Sequence, residues 1–360
     1  MKKIFFLLFL AICMNGKVWS QTTAPKYSNE FLSIGVGARA LGMSGVQVAV
    51  VNDVTSAYWN PAGLLNMKNK YEVALMHSEY FAGIAKYDYA GFATRLDSHS
   101  VIGLSVIRFG VDDIADTRFL YDANGAINYN NIKFFSAADY AFILSYARKT
   151  DFIPGLQFGA NFKVVHRIVG DFATAWGFGL DLGAQYVYRK WKFGAMARDI
   201  TGTFNAWSHN TELVRDVYIE TGNVIPSNSI EVTLPKLVLG AARNFKILKK
   251  IGILASVDLV TTYDGKRNVL IRSKVISIDP MAGVEIDYSK IVFLRFGVGN
   301  IQNVQKFTDN GTAQVTTFQP NFGVGIKINK FYIDYALTNV FNTSDALYSN
   351  VFSLKLALNK

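Results

Sequence analysis

From about residue 71 onward, apolar and polar residues alternate with a period of two, in runs of the roughly ten residues a membrane-crossing strand needs. The clearest run is 176–189. Trp176, Phe178, Leu180, Leu182, Ala184, Tyr186 and Tyr188 fall on one face; Gly177, Gly179, Asp181, Gly183, Gln185 and Arg189 fall on the other. Successive side chains of a strand point to opposite faces, whereas a helix would scatter both sets around its circumference. Segment 156–167 repeats the design, with Leu156, Phe158, Ala160, Phe162 and Val164 against Gln157, Gly159, Asn161 and Lys163. Segment 321–329 and the last run, with Phe352, Leu354, Leu356 and Leu358 on its apolar face, do the same.

The composition of the polar face decides what the alternation means. A soluble sandwich turns a bulky, variable polar face to water. Here that face is rich in glycine and small residues with scattered charges, which suits a crowded barrel lumen. Aromatics gather near strand ends, at Trp176, Tyr188, Trp191, Tyr288 and Phe331, as in the interfacial girdles of membrane barrels. The pattern therefore predicts an all-β, 14-stranded antiparallel transmembrane β-barrel. Its strands are expected near 71–80, 86–96, 100–110, 137–148, 156–167, 175–189, 191–199, 236–245, 250–261, 281–288, 291–299, 320–329, 331–340 and 351–359. Every second connection is short and basic, as at Arg189-Lys190, Lys249-Lys250, Lys290 and Lys330. Most of the others are long: 111–136, 200–235, 262–280, 300–319 and 341–350. Short periplasmic turns and long extracellular loops are the rhythm of outer-membrane barrels. The turn charges read as solubilising, with an acidic partner or lipid headgroup as the alternative. They are too dispersed for nucleic acid.

The first twenty residues differ. Met1-Lys2-Lys3 is a basic head, Ile4 to Met14 is an apolar run too short to span a bilayer, and Ser20 precedes Gln21. This reads as a cleaved secretory signal peptide, residues 1–20. The whole chain carries 37 basic and 27 acidic residues, a net charge of +10. Removing Lys2, Lys3 and Lys17 leaves 34 basic against 27 acidic residues, or +7. The single cysteine, Cys13, leaves with the signal, which excludes a disulfide framework or a multi-cysteine metal site. No later stretch is long and apolar enough for a membrane helix, so a membrane protein of this sequence has to be a closed barrel. A mean hydropathy of +0.18 then averages a lipid-facing face, a polar lumen and polar loops.

Residues 31–66 are not a strand series. They carry Gly35, Gly37, Gly42 and Gly45, which allow close backbone packing, and Asn60-Pro61, a turn or helix-start signal. The run GARALGMSGVQVAVVNDVTSAYWNPAGL resembles the N-terminal signature of the PorV/PorQ family. These are FadL-like outer-membrane barrels of the type IX secretion system of Bacteroidota. Asn60, Pro61 and Ala62, with Gly63 adjacent, resemble the motif of the FadL hatch, a segment that plugs the barrel. The resemblance implies a signal peptide at 1–20, an N-terminal hatch or plug at 21–68 and an outer-membrane barrel at 69–360. It also implies association with the type IX translocon and with client proteins bearing a C-terminal signal domain. One departure is the ending Leu358-Asn359-Lys360, without the terminal aromatic common in such barrels.

Chemistry of other kinds finds little support. Gly35-x-Gly37-x-x-Ala40 is not set in a βαβ unit, and Gly42-Met-Ser44-Gly lacks nucleophile-elbow spacing. His77, His99, His166 and His209 are scattered, so no metal site, cofactor or enzyme activity is expected. Asp181, Asp258, Glu285, Asp287 and Asp334 are placed on lumen faces opposite Lys163, Arg198, Arg295, Lys327 and Lys355, as structural ion pairs. The expected function is docking of clients or translocon components through the long loops, with Trp207 and Phe307 as candidate contacts. The alternatives are a FadL-type channel for hydrophobic solutes and an inert surface anchor.

Overall fold

The computed structural model describes residues 28–122, 124–308, 311–340 and 349–359; at 306–308 and 311–312 it describes the backbone alone. The expected signal peptide and residues 21–27 lie outside the described residues. Seventeen strands run β1 (Tyr71–Tyr80), β2 (Ala85–Arg95), β3 (Ser100–Asp116), β4 (Lys133–Lys149), β5 (Leu156–Val169), β6 (Ala173–Tyr188) and β7 (Trp191–Arg198). Then come β8 (Thr203–His209), β9 (Ser229–Thr233), β10 (Lys236–Leu248), β11 (Ile251–Thr262), β12 (Ile271–Arg272), β13 (Ser277–Tyr288) and β14 (Val292–Thr308). β15 (Gly311–Ile328), β16 (Phe331–Thr338) and β17 (Ser349–Leu358) complete the set among the described residues.

Fourteen of these make the wall. β1 to β7 pair in order, β7 pairs β10, β10 pairs β11, β11 pairs β13, and β13 to β17 follow in order, all antiparallel. β17 returns to β1, with Tyr71 opposite Leu358, so the sheet closes and leaves no edge. The alternation holds at residue resolution. Leu182 is 52% exposed and its neighbour Asp181 only 3%. The outward row of β6 continues through Leu180, Phe178 and Trp176, the last stacked on outward-facing His166 at 4.0 Å. In water such an exposed apolar band would drive aggregation. In a bilayer it is the matched surface.

Two parts of the wall depart from the expected layout. The stretch 200–235 is not one loop: it holds β8, helix α3 (Thr211–Glu220) and β9. β8 pairs the start of β6 and β9 pairs β8, so each extends a wall strand, β7 and β10 respectively, past an interruption. Likewise 300–319 is not a loop but the far part of a long β14–β15 hairpin, with a register shift between Gly299 and Gln302. Its residues mix Ile301, Val304, Val315 and Phe318 irregularly with Asn, Gln and Thr, and the period-two signal fades there.

Residues 28–67 form short pieces only, including the helices α1 (Ala38–Leu41) and α2 (Ser56–Trp59) and a 3-10 turn at Pro61–Asn66. Most are buried, and Phe31, Val36, Leu41, Val54, Tyr58, Leu64 and Met67 pack into one apolar cluster with inward residues of the wall.

Candidate functional site

The N-terminal segment hydrogen-bonds to strands all around the ring. Ala38 N donates to Ser353 Oγ on β17 (2.9 Å), and Asn161 Nδ2 on β5 donates to the Ala57 carbonyl (2.8 Å). Asn321 Nδ2 on β15 donates to Ser44 Oγ (2.9 Å), and Tyr89 Oη on β2 to the Val54 carbonyl (3.3 Å). These contacts reach β2, β5, β15 and β17.

The motif residues hold one side of this contact. Asn60 is fully buried. Its amide nitrogen donates to the carbonyls of Val48 (2.8 Å), Ala184 on β6 (3.0 Å) and Ala195 on β7 (3.4 Å), while its Oδ1 accepts from Ala62 N (3.2 Å). Pro61 opens the 3-10 turn, a position where its missing N–H costs nothing and its fixed φ is already suitable. Beneath them, Gly159 and Gly183 face each other in register. A Cβ on Gly183 would lie 2.1 Å from Asn60 Oδ1, and one on Gly159 2.5 Å from Ala62 N. The two wall glycines are thus a seat for the motif. Gly63 is constrained within the segment itself, since a Cβ there would meet the Val51 carbonyl at 2.5 Å.

Charges fix the rest. Lys355 Nζ pairs with Asp53 Oδ2 at 2.7 Å, and Thr55 donates through both its N–H and its hydroxyl to Asp53 Oδ1. Burial alone would raise the Asp53 carboxyl; the charges of Lys355 and Arg39 prevail and hold it well below the usual carboxylate range. Arg39 grips Glu285 on β13 with two bonds of 2.8 and 3.0 Å, and Arg295 on β14 joins Glu285 to Asp334 on β16. Asp258 Oδ2 accepts the backbone N–H groups of Gln47 (2.8 Å) and Val48 (3.0 Å). Lys163 lies between Asp181 (2.7 Å) and Asp199 (2.5 Å). Arg198 stacks on Tyr58 and donates to its carbonyl.

Of the expected lumen pairs, Lys163–Asp181, Arg295–Glu285 and Arg295–Asp334 are brought together within the wall. Lys355 and Asp258 instead bind the N-terminal segment. Asp287 turns to the Lys290 N–H at a short turn, and Lys327 lies over the Tyr332 ring. Arg39, Asp53 and Asp199 were missed as partners. Arg39 and Asp53 sit in a segment with no periodicity, so nothing in their neighbourhood said which wall residue they face.

Trp207 is corrected from loop to strand: it lies on β8, where alternation is too short to detect alone. Its Nε1 donates to Glu231 Oε2 (3.0 Å), and Arg167 lies over its ring and pairs with Asp139 and Glu231. Ala175, its neighbour across the strands, is buried inward, so this cluster lines the mouth of the barrel at the long-loop end. Phe307 is also on a strand, β14, rather than in a loop, and its side chain lies outside the described residues. Beside the N-terminal segment is a cavity of about 580 Å³, bordered by Leu41, Trp59, Val238, Val260, Met281 and Asp279 among others. Among the described residues no cluster of His, Cys, Asp or Glu has metal-binding geometry.

A closed fourteen-stranded antiparallel barrel with an apolar outer band and a polar, densely bonded interior is a barrel of the outer-membrane transport and secretion class. The solved structures it resembles are of that class. CymD, described as a monoaromatic hydrocarbon channel, superposes with a TM-score of 0.56 at 12% identity, over 91% of this chain and 98% of that one. The toluene transporter TbuX of Ralstonia pickettii gives 0.54 at 14% identity, over 90% and 99%. A Pseudomonas aeruginosa FadL homologue gives 0.51 at 11%, over 89% and 97%. At such identities the likeness is one of fold. The sequence is more specific: the family model for "Type IX secretion system protein PorV" matches residues 20–256, and the chain belongs to the PorV family. No individual curated protein matches it.

Proposed function

We propose that this protein is a non-enzymatic docking component of the type IX secretion system. Its long-loop end, with the Trp207 cluster and the β14–β15 hairpin, engages secreted clients bearing a C-terminal signal domain or components of the translocon. In this reading residues 1–20 are an export signal, and residues 21–68 are a plug, with Asn60, Pro61, Ala62 and Gly63 shaping its contact with β6 and β7. The observation that carries the reading is the match to the PorV family together with the bonding of residues 28–67 across the lumen. A barrel filled in this manner offers a surface rather than a conduit.

One observation favours a second reading. The cavity of about 580 Å³ beside Trp59 and Met281 has the size and partly apolar border of a small-molecule site. Under this reading the protein is a FadL-type channel for hydrophobic solutes, as the printed descriptions of CymD and TbuX suggest for those proteins. Affinity purification of the tagged protein from native outer membranes separates the two. Recovery of translocon proteins or C-terminal-signal clients is the expected result. A clean preparation carrying only lipid or a bound hydrophobic solute would overturn docking.

A further inference from the structure

The lipid-facing wall is not evenly convex. Across β7, β10, β11, β13 and β14 lies a depression of about 580 Å³, separate from the lumen. Two cross-strand rows build it. The first runs Trp191, Arg243, Ala255, Val284, Phe296, and the second Phe193, Ala241, Val257, Ala282, Val298, each residue directly opposite the next. Ala241, Ala255 and Ala282 leave the hollow between the larger Trp191 and Phe245 on one side and Phe296 on the other.

The first row contains an outward-facing cation. Arg243 lies over the rings of Trp191 (5.1 Å) and Phe245 (5.2 Å). Its Nε is buried and meets no hydrogen-bond acceptor among the described residues. A guanidinium on a lipid-facing surface is costly unless it lies at the interface or finds an anion. Trp191 directly follows the short turn Arg189-Lys190, so Arg243, its cross-strand partner, sits at the height of the short-turn interface.

The turns below this part of the wall share the sign. They carry Arg189 and Lys190, then Lys246, Lys249 and Lys250, then Lys290, whose N–H is accepted by the one acid among them, Asp287. The short turns elsewhere include Asp97 and Asp151. Arg148, Lys149 and Lys330 make other short turns basic too, but six cations against one acid gather beneath the hollow. Short turns of this class of barrel face the periplasm.

We propose that this hollow is a binding site for one anionic phospholipid of the periplasmic leaflet. Its phosphate is held by Arg243 and the basic turns, and an acyl chain rises over Ala255 and Ala241. The hollow alone gives no preference, because surrounding lipid tails are as apolar as its lining. Selectivity comes from charge, at about fivefold per basic residue close to the headgroup.

The test uses the purified full-length protein, titrated in neutral detergent with dioleoyl phosphatidylglycerol or dioleoyl phosphatidylcholine, with bound lipid counted by native mass spectrometry. The expected result is one phosphatidylglycerol retained per barrel under activation that strips phosphatidylcholine. Arg243→Gln is expected to lower that retention at least about fivefold. Ala255→Phe fills the hollow without altering charge and is expected to abolish it, with heat-modifiable gel migration verifying that both variants are folded. Equal retention of the two lipids by the unaltered protein, or undiminished phosphatidylglycerol on either folded variant, overturns the proposal. A photo-crosslinking residue at Val257 in intact membranes supplies an independent reading: a lipid adduct supports it, and a discrete protein adduct assigns the hollow to a protein neighbour instead.

Discussion

Asn60 has two amide hydrogens and three carbonyl acceptors around them, one in its own segment and two on the β6–β7 hairpin. Alanine at this position deletes the bonds that tie the segment to β6 and β7, at a cost of about 0.5–1.5 kcal/mol for each hydrogen bond lost. Aspartate is nearly the same size but presents a carboxylate to the same carbonyls. The expected order of protease protection for the N-terminal segment is therefore Asn60 above Asn60→Ala above Asn60→Asp, with the barrel still heat-modifiable on gels. Gly183→Val is expected to have the same effect from the other side of the contact. Protection in that variant equal to the unaltered protein would contradict the seat. Asp53 supplies a pH test. Its carboxyl is held below the ordinary value, so the stabilisation it provides is complete above an unfolded pKa of about 3.9. That stabilisation is lost only as pH falls from there toward the lowered folded value. The share of the segment's protection that Asp53 supplies is expected to stay level from about pH 8 to 5 and to decline only in stronger acid. Asp53→Asn removes the acid step and weakens protection at neutral pH, because it leaves Lys355 buried without its counter-ion.

At the scale of elements, the strands that cross the bilayer were legible, because lipid on one side and a packed lumen on the other impose period two. β6 and β5 were read almost to the residue. What lies above the bilayer was not. β8 and β9 do alternate, with Phe204, Ala206, Ile230 and Val232 outward and Thr203, Asn205, Glu231 and Thr233 inward, but over runs too short to stand out. The far half of the β14–β15 hairpin mixes polar and apolar residues, although the backbone ladder continues through all of them. The interruption between β7 and β8 was hidden for a related reason. It is held by Lys163 and Asp199, with Asp199 at φ 55°, and by Gly202 at φ 69°, none of which has a periodic signature. If the long hairpin is a docking arm, joining Gly299 to Gln319 through a short turn removes it while leaving the lower ladder whole. The shortened protein is expected to remain heat-modifiable and to recover clients or translocon proteins at least about tenfold less well, a change of about 1.4 kcal/mol. Undiminished recovery would move the docking surface elsewhere on the rim.

For the molecule as a whole, the outward apolar band and the inward small or charged residues were legible as a barrel. The role of the inward glycines was not, because it depends on what fills the lumen. Gly159, Gly183, Gly194 and Gly297 each face backbone or side-chain atoms of residues 43–62 at distances no Cβ could share. A lumen lined this way without the segment would expose Glu285, Arg295, Lys355 and Asp258 to water, all of which tolerate hydration. The wall ladder closes from β17 to β1 with no strand from the segment. Deleting residues 28–67 while keeping residues 1–27 is therefore expected to yield a folded barrel with a wet bore. In planar bilayers the deletion should show stable conductance steps that the full chain lacks, and Asn60→Asp should show brief openings between the two. If the full chain conducts as freely as the deletion, residues 28–67 do not close the bore. If the deletion is folded by gel migration yet silent, the wall itself or another segment closes it.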